Sequence, residues 1–267
     1  MTKFEIPPEH PRAESLHVRE KLIENFHKKV VAVAGLIAHG RGEAFDYLLG
    51  ETTTRHASDA IRAAASLLLT AERPVISVNG NTAALVPDEV VQLAEIARAK
   101  IEVNLFYRSL ERELAIKELL VKAGAQEILG IGLEASAKIS ELGSERRHVD
   151  PRGILAADVV MVPLEDGDRT EALANMDKKV IAIDLNPLSR TAQKATITIV
   201  DNVVRAMPRL VKAATELEGE KEVRKEILLN FDNTRNLAET ITFIQQRLSS
   251  LAEKGRYLSL ENESREF

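Results

Sequence analysis

From residue 54 onward, short apolar runs alternate with longer stretches of helical periodicity, and this alternation restricts the fold more than any other feature. The runs fall at 74–78, 101–104, 127–131, 158–162, 180–184 and 196–200. Short strands separated by helices build a parallel sheet with helices packed on it, because a parallel crossover needs a connection long enough to hold a helix. The expected class is therefore α/β: a Rossmann-like, mostly parallel sheet flanked by helices, with helical N-terminal and C-terminal extensions. One domain over 1–267 is expected, with a helical segment at about 11–71, a sheet core at about 74–216 and a helical tail at about 218–255.

Composition narrows the function. Hydrophobic residues make up 45% and charged residues 29%, as in globular proteins and not in disordered ones. The chain has no cysteine, which excludes disulfides, thiolate metal ligands and cysteine nucleophiles. Net charge is -5 and aromatics are 4%, which argues against a nucleic-acid surface. No run is long and apolar enough for a membrane helix, and the start has no leader pattern, so a cytoplasmic protein is expected. Abundant Glu, Lys and Arg without cysteine is also a heat-adapted composition.

Several residues stand out chemically. Arg19 falls on the stripe formed by Leu16, Ile23 and Phe26 in a helix expected over 11–28. A guanidinium there needs an anion, and either a protein carboxylate or a ligand meets that need. In Gly35-Leu-Ile-Ala-His-Gly-Arg-Gly-Glu-Ala-Phe-Asp-Tyr-Leu-Leu-Gly50, glycines flank Arg41. This reads as a loop that brings backbone close to a phosphate, followed by a short helix ended by Gly50. A tight turn with a solvated arginine would look the same, and His39 adjoins it.

The run at 180–184 delivers Asp184, Leu185 and Asn186 at its carboxyl end, followed by Arg190 and Thr191. Open α/β sheets bind ligands at that edge, and a carboxylate there can accept from ribose hydroxyls. An Asn-Pro turn in which Asp184 caps local amides is the plainer reading. The next strand exits at Asp201 and Asn202, so two polar exits side by side could share a pocket. Asn79, Gly80, Asn81 and Thr82 form a similar exit suited to a phosphorylated acid or to an ordinary helix cap. Glu165 to Asp168 could attract a cation or cap a helix. Gly130-Ile-Gly132-Leu-Glu-Ala135 formally matches the dinucleotide fingerprint, with Asp150 following, but the stretch after it is charged and interrupted by Gly143 and Pro151 where that motif needs a complete βαβ unit. In the tail, Leu237, Ile241, Ile244, Leu248 and Leu251 form a seam that needs either its own domain or a partner. No phosphate loop of the Walker kind, zinc-protease or serine-hydrolase motif occurs.

The stretches 10–20, 35–51, 79–85 and 184–192 together resemble archaeal phosphopantothenate synthetase, and the similarity spans nearly the whole chain. The resemblance implies condensation of 4-phosphopantoate with beta-alanine through an acyl-adenylate, with ATP as co-substrate, AMP and diphosphate as products, Mg2+ in attendance and a homodimer. It implies ATP contacts at Arg19, Arg41, Asp184, Leu185, Asn186, Arg190, Thr191, Asn202 and Val203. His39, Gly40 and Asn79 to Thr82 are then the positions expected to hold phosphopantoate. No side chain is assigned as nucleophile, because the substrate carboxylate supplies its own. An NAD-dependent oxidoreductase, or a nucleotide-binding regulator without catalysis, are the alternatives.

Overall fold

Five of the six apolar runs form one sheet. In the computed structural model, which describes residues 6–7, 9–10, 12–164 and 167–254, β1 (Pro74–Val78), β2 (Lys100–Val103), β5 (Val159–Pro163), β6 (Lys179–Ile183) and β7 (Ile197–Ile199) lie in the order β2-β1-β5-β6-β7, all parallel. A two-stranded hairpin of β3 (Ala137–Lys138) and β4 (His148–Val149) stands apart. Side chains alternate across the sheet with a period of two. Ile76, Val78, Met161, Ile181 and Ile183 enter one apolar layer, and Val75, Val160, Val162, Val180 and Ala182 enter the other.

The first layer is roofed by α3 (Arg55–Thr70), α5 (Pro87–Ala97) and α9 (Val203–Leu217), which pack on one another. Ala60, Ala63 and Ala64 let α3 approach α9 closely, and α10 (Lys221–Asn230) lies against α3. On the second face sit the hairpin and α7 (Gly167–Asn175), with Ala172 and Leu173 inward. Short helices α4 (Gly80–Leu85) and α8 (Arg190–Lys194) leave β1 and β6, and α6 (Leu110–Lys122) follows β2. The N-terminal pair is α1 (Ala13–His27) and α2 (Val33–Leu49), and α11 (Asn233–Lys254) ends the described chain.

α11 docks on its own chain, against α2, α3, α8 and β7. Leu237 is buried and Ile244 packs on Leu49 and Leu185, whereas Ile241 and Leu248 stay exposed.

Four expectations change. The run at 127–131 is not a strand but a single bridge from Leu129 to Glu102, broken by Gly130 in the left-handed region (φ 81). The same turn removes the dinucleotide fingerprint, since Gly132 (φ 56) opens a three-residue 3-10 turn and not the helix that motif requires. The inward face of α1 is Val18, Leu22, Asn25 and Phe26, one residue round from the predicted stripe, and Ile23 is 40% exposed. Asn25 on that face donates from Nδ2 to Lys21 O at 2.8 Å, while its backbone carbonyl accepts from Val30 N and Val31 N and closes the turn to α2.

The fourth change is the glycine-rich segment, which is helix throughout and ends on Gly50 in the left-handed region (φ 87) as predicted. Gly35 serves close approach and not a loop. A Cβ at Gly35 would lie 2.3 Å from Asn81 Oδ1, whose amide nitrogen donates to Gly35 O at 2.9 Å. A helix accepts the propensity cost of such glycines, about 1 kcal/mol each, where packing demands bare backbone.

Candidate functional site

The chain runs from β1 outward to β2 and then returns to the other side of β1 for β5, so the sheet has its switch point between β1 and β5. A crevice opens at the carboxyl ends of strands at such a point. Asn79 bridges it, donating from Nδ2 to Pro163 O and Leu164 O at 3.0 Å each. Its Oδ1 caps α4 by accepting from Thr82 N and Thr82 Oγ1.

Above this floor lies a cleft of about 520 Å³. One wall is α2, where Ala34, Ala38 and Arg41 recur at helical spacing over about two turns, roughly 11 Å. The opposite wall holds Phe106, Tyr107, Arg112 and Arg146. Arg41 is exposed and makes no side-chain hydrogen bond or ion pair among the described residues. Arg112 rises from the first turn of α6, whose cap is Ser109. It donates to Tyr107 O at 2.5 Å and to Val30 O at 2.9 Å.

Beneath the cleft is a buried polar chain. Arg169, 1% exposed, donates to Asn104 Oδ1 and Ser77 Oγ. Asn104 in turn donates to Arg146 O and His148 O, fixing the segment that carries Arg146. Glu102, fully buried on β2, accepts from Asp150 N at 3.0 Å and Ile154 N at 2.6 Å. Burial pushes its carboxyl up to about 7 despite those two donors. The folded pKa lies above the unfolded one, so the stability linked to Glu102 is complete below the unfolded pKa and is lost as pH rises toward 7. Glu102→Gln should therefore shrink the difference in urea midpoint between about pH 5 and about pH 8; an unchanged difference would show that Glu102 is not its source.

Beside the cleft, β6 and β7 are neighbours and bring their polar exits together, as expected. Asp184 accepts from Asn186 N at 2.9 Å and from Ser189 Oγ, the cap of α8. This is the local capping turn, and burial raises the Asp184 carboxyl above the usual range while the charge of Arg41 lowers it. α2 meets this turn directly, since a Cβ at Gly42 would lie 3.5 Å from Leu185 Cδ1. Arg41 and the Asp184 to Asn186 turn are thus brought to one edge of the cleft. Thr191 is buried, and Arg190 is exposed and paired with Asp168, which lies in the first turn of α7. Glu165 lies outside the described residues.

On the far flank of α2 is a smaller, acidic pocket. Arg19 meets Glu43 through three hydrogen bonds of 2.8 to 3.2 Å, so the internal carboxylate holds it here. Hydrogen bonding to Glu43 raises the Arg19 pKa, and although burial opposes it, Arg19 and Tyr47 hold Glu43 below the usual carboxylate range. His39 lines this pocket and not the main cleft, and burial lowers its pKa. Gly40 is exposed with open space around it, so neither residue expected beside Arg41 contacts the cleft. Asn202 caps α9 and donates to Asp46 Oδ2 at 2.8 Å, and Val203 is in the core. Arg205 forks onto Asp46 at 2.5 and 3.0 Å and also reaches Asp201.

Arg112, Arg146, Arg169, Asp46 and Arg205 escaped the sequence reading. The logic applied to Arg19 would have found Asp46, which shares the inward side of α2 with Leu49. Glu113 on the inward stripe with Ile116 and Leu120 signals its partner Arg108, next to Arg112.

A parallel sheet with an arginine-lined crevice at its switch point places this chain in the class of open α/β proteins, whose ligands bind at the carboxyl ends of the strands. Within it, residues 56–247 match the family model described as phosphopantothenate/pantothenate synthetase, and the chain belongs to that family. It is 54% identical over 252 residues to a 4-phosphopantoate--beta-alanine ligase of Thermococcus kodakarensis, covering 94% of this chain and 96% of that one. The ligases of the same name from Methanosarcina mazei and Methanospirillum hungatei are 52% and 46% identical, over 95% and 91% of this chain and 99% and 98% of theirs. No helix among the described residues is long and apolar enough to cross a membrane.

Proposed function

We propose that this protein is a ligase that joins 4-phosphopantoate to beta-alanine, with ATP activating the acid. The observation that carries the reading is the placement of Arg41, an uncommitted cation between the switch-point cleft and the Asp184 turn. The acid carboxylate attacks the α-phosphorus of ATP, an O–P bond forms and diphosphate leaves. The amine of beta-alanine then attacks the acyl carbon, the C–N bond forms, AMP leaves with the C–O electron pair, and the amine gives up a proton. Arg41 stabilises charge developing on the transferring phosphorus. Much of the rest is holding two anions in line.

Asp184, Leu185 and Asn186 receive the nucleoside, since each carboxylate oxygen retains a lone pair beyond its capping bond. Arg190, Thr191, Asn202 and Val203 border the same strand ends. Arg19 is held by Glu43, so its part in binding ATP requires the guanidinium to exchange that carboxylate for phosphate. Asn79, Gly80 and Asn81 floor the acid site, whereas Thr82, expected with them, is buried beneath the cleft with its hydroxyl on Asn79 and Pro163. No group of three or more His, Asp or Glu side chains able to cage a metal occurs among the described residues. Magnesium accompanying ATP would take its oxygens from the triphosphate and water.

Incubation with ATP, 4-phosphopantoate and beta-alanine should release AMP in step with amide formation. Release of ADP, or product formation that ignores beta-alanine, would rule out the adenylate route. Tight NAD binding would revive the oxidoreductase alternative, which the non-helical Gly132 turn leaves without support.

A further inference from the structure

Several of the structure's arginines are neutralised from within. Arg19, Arg108, Arg152 and Arg205 each reach a carboxylate, Glu43, Glu113, Asp150 and Asp46 respectively. Arg112 differs. It is half-buried on the cleft wall, its two hydrogen-bond acceptors are neutral backbone carbonyls, and its Nε is buried without a partner. Desolvation, with no carboxylate to oppose it, lowers its pKa. The two carbonyl bonds orient the guanidinium but leave its charge uncompensated, and an anion entering the cleft would supply what the protein withholds.

Position says which anion. Val30, one of Arg112's anchors, lies three residues before the first residue of α2, and Arg41 lies about two turns along that helix beside the Asp184 turn. Gly80 leaves room for the guanidinium, since a Cβ there would lie 3.0 Å from Arg112 Nη2 and 2.2 Å from Val30 O. A phosphorylated hydroxy acid has an anion at each end. Its carboxylate must face the nucleotide, at the Arg41 edge, so its phosphate falls at the opposite end of the cleft.

We propose that Arg112 is the recognition residue for the phosphate monoester of the acid substrate, and sets the preference for the phosphorylated acid over the free one. The assignment rests on the ligase reading above. It makes the cleft two-ended: Arg41 serves the reacting end, and Arg112 serves the end that anchors without reacting. Binding energy gained at the anchored end is available to orient the carboxylate.

The test compares 4-phosphopantoate with unphosphorylated pantoate as the acid, in wild type and in Arg112→Gln and Arg112→Lys. Arg112→Gln should lower kcat/KM for 4-phosphopantoate about 100-fold while the KM for ATP stays within about twofold, so that the preference over pantoate collapses. Arg112→Lys, which keeps the charge without the fork and is the safer variant for folding, should fall between the two. Inorganic phosphate, competing with 4-phosphopantoate, should inhibit wild type more strongly than Arg112→Lys. Equal losses with both acids, a loss carried by the KM for ATP, or unchanged phosphate inhibition would each overturn the proposal. Wild type that forms no amide would instead overturn the ligase reading itself, a result visible before any variant is made.

Discussion

Replacing Arg41 with alanine should lower kcat/KM for ATP about 100-fold or more and leave the melting temperature nearly unchanged. The two halves of this expectation have separate physical causes. Stability is spared because Arg41 is exposed, has no hydrogen-bond or ion-pair partner among the described residues, and sits in a helix where alanine is at least as favourable. Activity is lost because the cation between the cleft and the Asp184 turn disappears just where charge builds up during phosphoryl transfer. Steady-state AMP release and a thermal melt of the same preparation check both. A variant that melts many degrees lower would show Arg41 to be a structural residue. One that melts normally and keeps its ATP kinetics would remove Arg41 from the site.

The second large effect is on stability. Arg205→Ala would leave Asp46 and Asp201, whose side chains are 6% and 0% exposed, without their cation. Breaking one side of a buried pair of this kind costs about 3–5 kcal/mol. Burial already raises Asp201 above the usual carboxylate range even with Arg205 in place. A buried carboxylate whose folded pKa is raised destabilises the fold above that pKa, and the penalty fades as pH falls and the group protonates. The variant should thus recover part of its urea midpoint between about pH 7.5 and about pH 5. A loss under about 1 kcal/mol, the scale of surface pairs, or one that worsens in acid, would contradict the reading.

How much of this could be read beforehand depended on which force set each element. Strands 74–78, 158–162 and 180–184 were legible within a residue because burial on both faces of a parallel sheet demands continuous apolar runs. The run at 127–131 has the same apolar character, but Gly130 within it and Gly132 just after it adopt backbone that a strand cannot continue, and only one bridge forms. The segment at 35–50 misled for the opposite reason. Glycine signals either a turn or a close approach, and the choice depends on Asn81, which is distant in sequence. Among candidate site residues, Asp184 and Asn79 stand out in the sequence because they leave strands, and both make the local capping bonds of the plainer reading. Arg112 could not, because its significance lies in the absence of a nearby carboxylate, which no local spacing encodes.

α2 forms one wall of the cleft, yet its own buried residues are only Asp46 and Leu49. Much of its grip on the rest of the chain is charge: Glu43 to Arg19 on α1 and Asp46 to Arg205 on α9. These tethers differ in how much water they see, the Arg19 side chain being 38% exposed and that of Arg205 16%. Dissolved ions screen the first far more than the second. Both tethers lie within one turn of the carboxyl half of α2, so ionic strength acts unequally across one short stretch of helix, loosening its grip on α1 while its grip on α9 holds. Salt thus sets how firmly the cleft wall is held to the N-terminal helix.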